Sequence, residues 1–289
     1  MGRAPASACG ESAPPRGDLS GVIVAEIERL SALASDPDVE LARLETEIRA
    51  NPSDARLRTY LFQLLALRGN WERAVGQLQV SAQLAPIGMA MAQTYREAVR
   101  AEVFRAEVFA GRKQPSFLGQ PPAWAGLLLE SLKLLAEGHV DKAATMRGEA
   151  LDAAPASSGS VDGHAFEWIA DADSRIGPVC EAVVDGKYVW IPFENLTRVT
   201  VAPRADLRDF VWAAAHLTLI NGGETVGLIP ARYPGSEVSQ DPAIRMARKT
   251  EWREAGDDTY IGLGQRMWAT DAGEYPILDT REIKLAARA

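Results

Sequence analysis

The stretch "WIADADSRIGP", Trp168 to Pro178, sets Asp171 and Asp173 two positions apart with Arg175 following and His164 just upstream. Two carboxylates and an imidazole are the groups a metal-dependent hydrolase uses to hold a cation and activate water. Conformation decides whether they can cooperate. On a helix, residues two apart point about 200° away from each other at about 3.6 residues per turn and cannot share one ion. On an extended segment they share a face. Phe166, Ile169, Ala170 and Ile176 read as a helical pattern. In that frame Asp171 pairs with Arg175 at i,i+4, and the acids hold the fold rather than a substrate.

No other constellation offers stronger chemistry. The three histidines, His139, His164 and His216, lack Cys or His partners at metal-ligand spacing. His139 falls at a turn between helices, and His216 opens a predicted strand. No G-x-S-x-G, Walker A or H-E-x-x-H sequence occurs. "GLGQRM" falls short of a dinucleotide fingerprint because its sixth position is Met267. "RYPGSE", Arg232 to Glu237, is a turn with two charged residues, a composition that suits either internal pairing or a binding surface. We expect no catalytic residue, no cofactor, no bound metal and no small-molecule substrate. The alternative is a small metal-dependent hydrolase built on Asp171, Asp173 and His164.

The chain has 289 residues, 47% hydrophobic and 24% charged, enough for a sizeable core and two domains. A net charge of -8 without a basic cluster argues against nucleic acid as a partner. Cys9 and Cys180 do not suggest a structural bridge, which fits a reducing compartment. The start of the chain lacks the apolar region of a signal peptide, and the same lack removes a lipobox reading of "ASAC". No apolar run reaches spanning length. These features predict a cytoplasmic protein that does not enter membranes.

Residues 1–35, rich in Pro, Gly, Ser and Ala at their start, read as a disordered or poorly ordered extension. Residues 36–156 read as tetratricopeptide-like helical repeats. Pro52 and Pro86 stop two helical patterns one period apart, about 34 residues. Between them Leu61 and Leu65 lie on a first helix, Gly69 makes the turn, and Ala74, Leu78 and Ser81 lie on a second. A further copy has Gly138 at the turn, Ala143 at the small position and Pro155 at the stop. The stretch between reads as one long helix carrying Tyr95, Val99, Val103 and Val108. Such a repeat array is expected to fold by itself.

Residues 157–289 change texture and read as an α+β domain with a mainly antiparallel sheet, the small residues of "APASSGSVDG" forming the boundary. Asp185-Gly186 and Asn221-Gly222-Gly223 are hairpin turns. "TRVTV" and "EYPILDTREI" are strand candidates. Short helices are predicted at Asp206–Trp212 and at Asp241–Arg248, the latter with Pro242 in its first turn.

Several long segments together resemble one family: "ANPSDARLRTYLFQLLALRGNWERAVGQL", "AMAQTYREAVR", "AEVFAGR", "FEWIADADSRIGPVCEAVVDGKYVWIPF", "ARYPGSE" and "LGQRMWATDAGEYPILDTREI". They are similar to the ImpE family, also called the SciE-type virulence protein or TagJ family, accessory components of bacterial type VI secretion systems. The resemblance runs from about Leu41 to Ile283; "LASDPDVELARL" and the extension before it depart from the pattern. It implies a non-enzymatic cytoplasmic adaptor that binds a helical segment of TssB, the small contractile-sheath subunit, and is thereby linked indirectly to the ClpV ATPase that disassembles sheath. It brings no catalytic residues.

The family resemblance does not place the partner site. The concave face of a helical array is lined by the first helix of each repeat. Here that face would carry Arg56, Thr59, Gln63 and Leu67 in one repeat, and Ala125, Leu128, Leu132 and Leu135 in the last. A groove apolar at one end and polar at the other suits an amphipathic helix. The bland alternative makes the Leu128 face ordinary core. Arg232 and Glu237 mark a second candidate surface.

Overall fold

The computed structural model describes residues 37–256 and 258–286; the extension expected over residues 1–35 lies outside them. The chain divides into two compact units, Met1–Arg43 and Leu44–Ala289. In the first, Pro37 begins helix α1, Pro37–Ala50, where Glu40 pairs with Arg43 at 2.6 Å.

In the second unit the helices come first, as antiparallel neighbours. Asp54 caps α2, Ala55–Leu67, by accepting from Arg56 N at 2.8 Å. Gly69, at φ +66°, turns the chain into α3, Trp71–Leu84, in the left-handed conformation that glycine tolerates best. Ala74 is fully buried at the crossing, and Thr59 and Ser81 bond across it at 2.7 Å. A 3-10 turn, Pro86–Gly88, leads into the long α4, Met89–Phe109. The second hairpin repeats these devices. α5, Ala123–Ala136, turns at Gly138 into α6, Val140–Ala153, with buried Ala143 at the contact and its carbonyl accepting from Ser131 Oγ at 2.7 Å.

The sheet follows. Its strands are β1 Ser116–Phe117, β2 Gly159–Val161, β3 His164–Phe166, β5 Val179–Val184, β6 Lys187–Pro192, β7 Leu196–Val201, β8 Trp212–Leu219, β9 Glu224–Pro230 and β14 Glu282–Leu285. They lie in the order β1-β6-β5-β9-β8-β7-β14-β2-β3. Every neighbouring pair is antiparallel except β1 with β6. Both hairpins fall where expected, at Asp185-Gly186 and Asn221–Gly223. A three-stranded sheet places β12, Met267–Thr270, between β4, Ile169–Asp171, and β13, Gly273–Pro276. Strands β10, Thr250–Glu254, and β11, Tyr260–Gly264, form a separate hairpin.

Alternation gives the large sheet two different faces. One buries Ile191, Val199, Leu217, Ile229 and Ile283 in a core with Phe193 and Trp268. The other carries Trp212, whose ring lies 6.5 Å from Phe62, 5.6 Å from Tyr95 and 6.1 Å from Trp71, all on the helices.

Four local expectations change. The helix expected over the "WIADADSRIGP" region is instead strand β4 and a turn, because Ile169–Asp171 completes a ladder with Trp268–Thr270. The helix expected at Asp206–Trp212 is a single 3-10 turn, Leu207–Phe210, closed by a capping box between Asp206 and Asp209. Trp212 already belongs to β8, and His216 sits inside that strand rather than opening it. The short helix after Asp241 is shorter than expected, α7 Pro242–Arg245, with Pro242 in its first turn.

Candidate functional site

Asp171 ends β4 with its side chain fully enclosed. Its Oδ1 accepts from Asp173 N at 2.8 Å, and its Oδ2 pairs with Arg266. Asp173 turns elsewhere. It accepts from Arg175 N and Nε, both at 2.9 Å, from Arg175 Nη2 at 2.6 Å, and from Gly262 N at 3.0 Å. The predicted Asp171–Arg175 pair is therefore replaced by Asp171–Arg266 and Asp173–Arg175, since the segment is extended and turned rather than helical. His164 stands exposed on β3. Among the described residues no group of three His, Cys, Asp or Glu side chains is arranged to hold a metal ion.

The Asp171–Arg266 pair is one end of a buried ionic network. Arg266 also pairs with Glu181 of β5, and its Nε donates to Pro230 O at 2.8 Å. Glu181 is gripped from the other side by Arg105 of α4, through Nε at 2.8 Å and Nη2 at 3.0 Å, and accepts from Tyr188 Oη. Trp190 Nε1 donates to Tyr188 Oη at 2.7 Å. Arg105 also reaches Glu102 at 3.4 Å, which accepts from Trp212 Nε1 at 3.1 Å. Burial alone would raise the Glu181 carboxyl, but the Arg105 and Arg266 guanidiniums outweigh it and hold Glu181 well below the usual carboxylate range. Asp171 faces Arg266 alone; burial dominates there and raises its carboxyl to about 7. Each acid is enclosed and bonded to arginine, so the arrangement fixes backbone positions rather than presenting a nucleophile or a base.

"GLGQRM" has a packing explanation. A Cβ on Gly262 would lie 2.2 Å from the Tyr233 ring, and one on Gly264, at φ +93°, would lie 1.9 Å from Lys249 O. These glycines let β11 pass against Tyr233 and the chain before β10. Arg266 follows directly and enters the network. "RYPGSE" is equally structural at its first residue. Arg232 is buried and donates to Leu67 O at 2.7 Å, to Ala66 O at 3.3 Å and to Arg245 O. It holds the carbonyl end of α2 and is withdrawn from solvent, while Glu237 is half-buried. The expectation of Arg232 as a binding surface is thereby corrected.

The predicted helix-lined groove is largely filled. Gln63 is buried and accepts from Leu207 N at 3.0 Å; Leu67, Ala125, Leu128 and Leu132 are buried too. Leu207 of the sheet domain packs onto Gln63 where the groove was expected, and burial withdraws all five positions from solvent. Arg56 is exposed and paired with Asp54 at 3.3 Å, while Thr59 and Leu135 are half-buried. The network residues Arg105, Glu181 and Arg266 escaped sequence reading. The available signal was a lone acid inside the apolar run "VCEAVV".

A different surface is open. Leu84, Ile87 and Met89, at the α3–α4 corner, are 40%, 97% and 58% exposed. Beside them runs a groove of about 660 Å³ between α3 and α4, lined by Leu78 and Ala82 from one helix and Met89, Ala90, Ala92 and Arg96 from the other, with glutamines between.

The family model described as "ImpE protein" matches residues 163–284. The type VI secretion system accessory component TagJ of Pseudomonas aeruginosa is 48% identical over 246 residues, covering 85% of this chain and 86% of that protein. The crystal structure of protein VPA1032 from Vibrio parahaemolyticus shares the fold, with a TM-score of 0.81 and 23% identity over 91% of this chain and 98% of that one.

Proposed function

The chain belongs to the ImpE family, and from that membership we propose that it is a non-catalytic type VI secretion accessory protein that captures the small sheath subunit. In this reading it works in the cytoplasm as an adaptor. It binds a helical segment of the TssB-type subunit and so connects that subunit to sheath disassembly, with ClpV reached indirectly. The observation that carries the reading is the 48% identity to TagJ along 85% of the chain. The geometry supports it in two ways. Asp171 and Asp173 are spent on separate arginines, which disfavours the hydrolase alternative with His164. Leu84, Ile87 and Met89 stand open at the α3–α4 corner, where a partner helix can be received by ridge-and-groove packing. The helical pairs of residues 36–156 serve as the docking module, of tetratricopeptide type, and residues 157–289 as its support. Arg56, Thr59 and Leu135 remain the accessible part of the face first expected to bind.

The test is capture of purified small sheath subunit by the full-length chain, beside a subunit lacking its helical segment. Capture of the intact subunit alone is the expected result. Equal capture of both, or of neither, would remove the sheath helix from the function.

A further inference from the structure

We propose that the groove between α3 and α4 is the seat of the partner helix, and that Arg96 receives an acidic side chain borne on that helix. The inference rests on the adaptor reading above only for the identity of the protein that brings the helix.

The groove has the relief such a ligand needs. Ala82, Ala90 and Ala92 keep its walls low, so another helix can approach closely, Leu78 forms its buried floor, and Met89, 58% exposed, supplies apolar contact. At the corner, Leu84 and Ile87 extend this surface onto solvent-exposed apolar side chains that no described residue of Leu44–Ala289 covers. Both walls are helical, with their backbone hydrogen bonds satisfied internally, so an added strand would find no edge to pair with. An incoming helix brings its own bonds satisfied and needs only side-chain complementarity.

Charge fixes the partner's character. Among the nine described residues lining the groove, Arg96 is the sole charged one. Its Nε is buried and has no hydrogen-bond partner. A guanidinium donor withdrawn from water without an acceptor is unfavourable, and a carboxylate offers the best-matched planar acceptor. Arg100, exposed one turn further along α4, likewise has no ion-pair partner among the described residues and extends the positive row. The nearby acid, Glu97, is engaged by Gln93. The ligand is thus an amphipathic helix with an apolar stripe flanked by Asp or Glu.

Binding of the purified small sheath subunit to full-length chain is measured by calorimetry for four variants. Ala90→Arg fills the groove, Arg96→Glu reverses its charge, and Met89→Glu alters an exposed wall residue. Val226→Glu, at a 70% exposed position of β9 outside the groove lining, is the control. Expected are losses of at least tenfold for the three groove variants, an unchanged affinity for the control, and weakening of the wild-type complex by added salt. Melting temperatures check folding, and Met89→Glu keeps the test decisive should either neighbouring change disturb the helices. Wild-type affinity in the folded groove variants would overturn the groove while leaving the adaptor reading intact, as would a loss confined to Val226→Glu. No binding by the wild-type chain would remove both.

Discussion

Arg105 and Glu181 meet in a two-point ion pair, Nε to Oε1 at 2.8 Å and Nη2 to Oε2 at 3.0 Å, with neither side chain open to solvent. One comes from α4, the longest described helix, and the other from the sheet, so the bond ties together elements far apart in sequence. Arg105 Nη2 donates as well to Arg232 O at 3.1 Å, and Arg232 in turn holds the end of α2. Arg105→Met should therefore lower unfolding free energy by about 3–5 kcal/mol, the cost of stranding one member of a buried pair. Urea titration of the folded variant measures it; a change under about 1 kcal/mol would mean that water or Arg266 takes over Glu181.

The pair also sets an acid limit. Glu181 is held below its ordinary value of 4.5 in the folded chain, so the unfolded chain binds its proton more readily. The stability this contributes is fully present above pH 4.5 and is lost as pH falls below it. Chemical denaturation across pH 3–6 should show a decline in the wild type that is shallower in Glu181→Gln, on top of a lower stability at every pH. Equal slopes would locate the acid limit in other carboxylates.

Asp171 carries the opposite sign. Its folded-state value is raised from 3.8 to about 7, chiefly by burial, so its contribution is fully present below pH 3.8 and declines as pH climbs toward 7. Asp171→Asn should destabilise by about 1–3 kcal/mol through the weakened bond to Arg266, with capture of the sheath subunit retained. Its deficit should narrow as pH rises from 4 to 7. Thermal melts with and without divalent metal give a second check: metal-dependent stabilisation of the wild type that disappears in the variant would restore the hydrolase alternative.

Much of this architecture was legible because local chemistry and tertiary packing agree. Gly69 and Gly138 mark helix corners, Ala74 and Ala143 mark close crossings, and Asp185-Gly186 and Asn221–Gly223 mark hairpins, all found where their sequence signals lie. The misreadings fall where a distant partner decides. Phe166, Ile169 and Ile176 have helical spacing, yet the ladder from β4 to Trp268–Thr270 overrides it. Leu128 and Leu132 suit a partner groove as well as a core, and only their burial in the folded chain distinguishes the two. Arg175 was the nearest arginine in sequence to Asp171, but Arg266, brought alongside by β12, is its partner. No rule of spacing links residues so far apart.

The last prediction concerns residues 36–156 produced alone. A repeat array draws its stability from contacts between neighbours, which favours independent folding. Here the segment also borrows core from outside itself. Trp212 of β8 stacks on Phe62 and meets Tyr95 at a tilt, Gln63 accepts from Leu207 N, and Arg105 is neutralised by Glu181. Without the sheet, the aromatic rings lie open and Arg105 loses its two-point partner. Exposing one large aromatic surface forfeits about 1.5–3 kcal/mol, a large fraction of a marginal domain's total. The fragment should therefore show helical circular dichroism but a broad, weakly cooperative melt well below that of the full chain. Adding residues 157–289 as a separate polypeptide should sharpen and raise the transition. A sharp melt at the full chain's temperature from the fragment alone would show that the helix-to-helix contacts suffice and that Trp212 and Glu181 contribute little to holding the helices together.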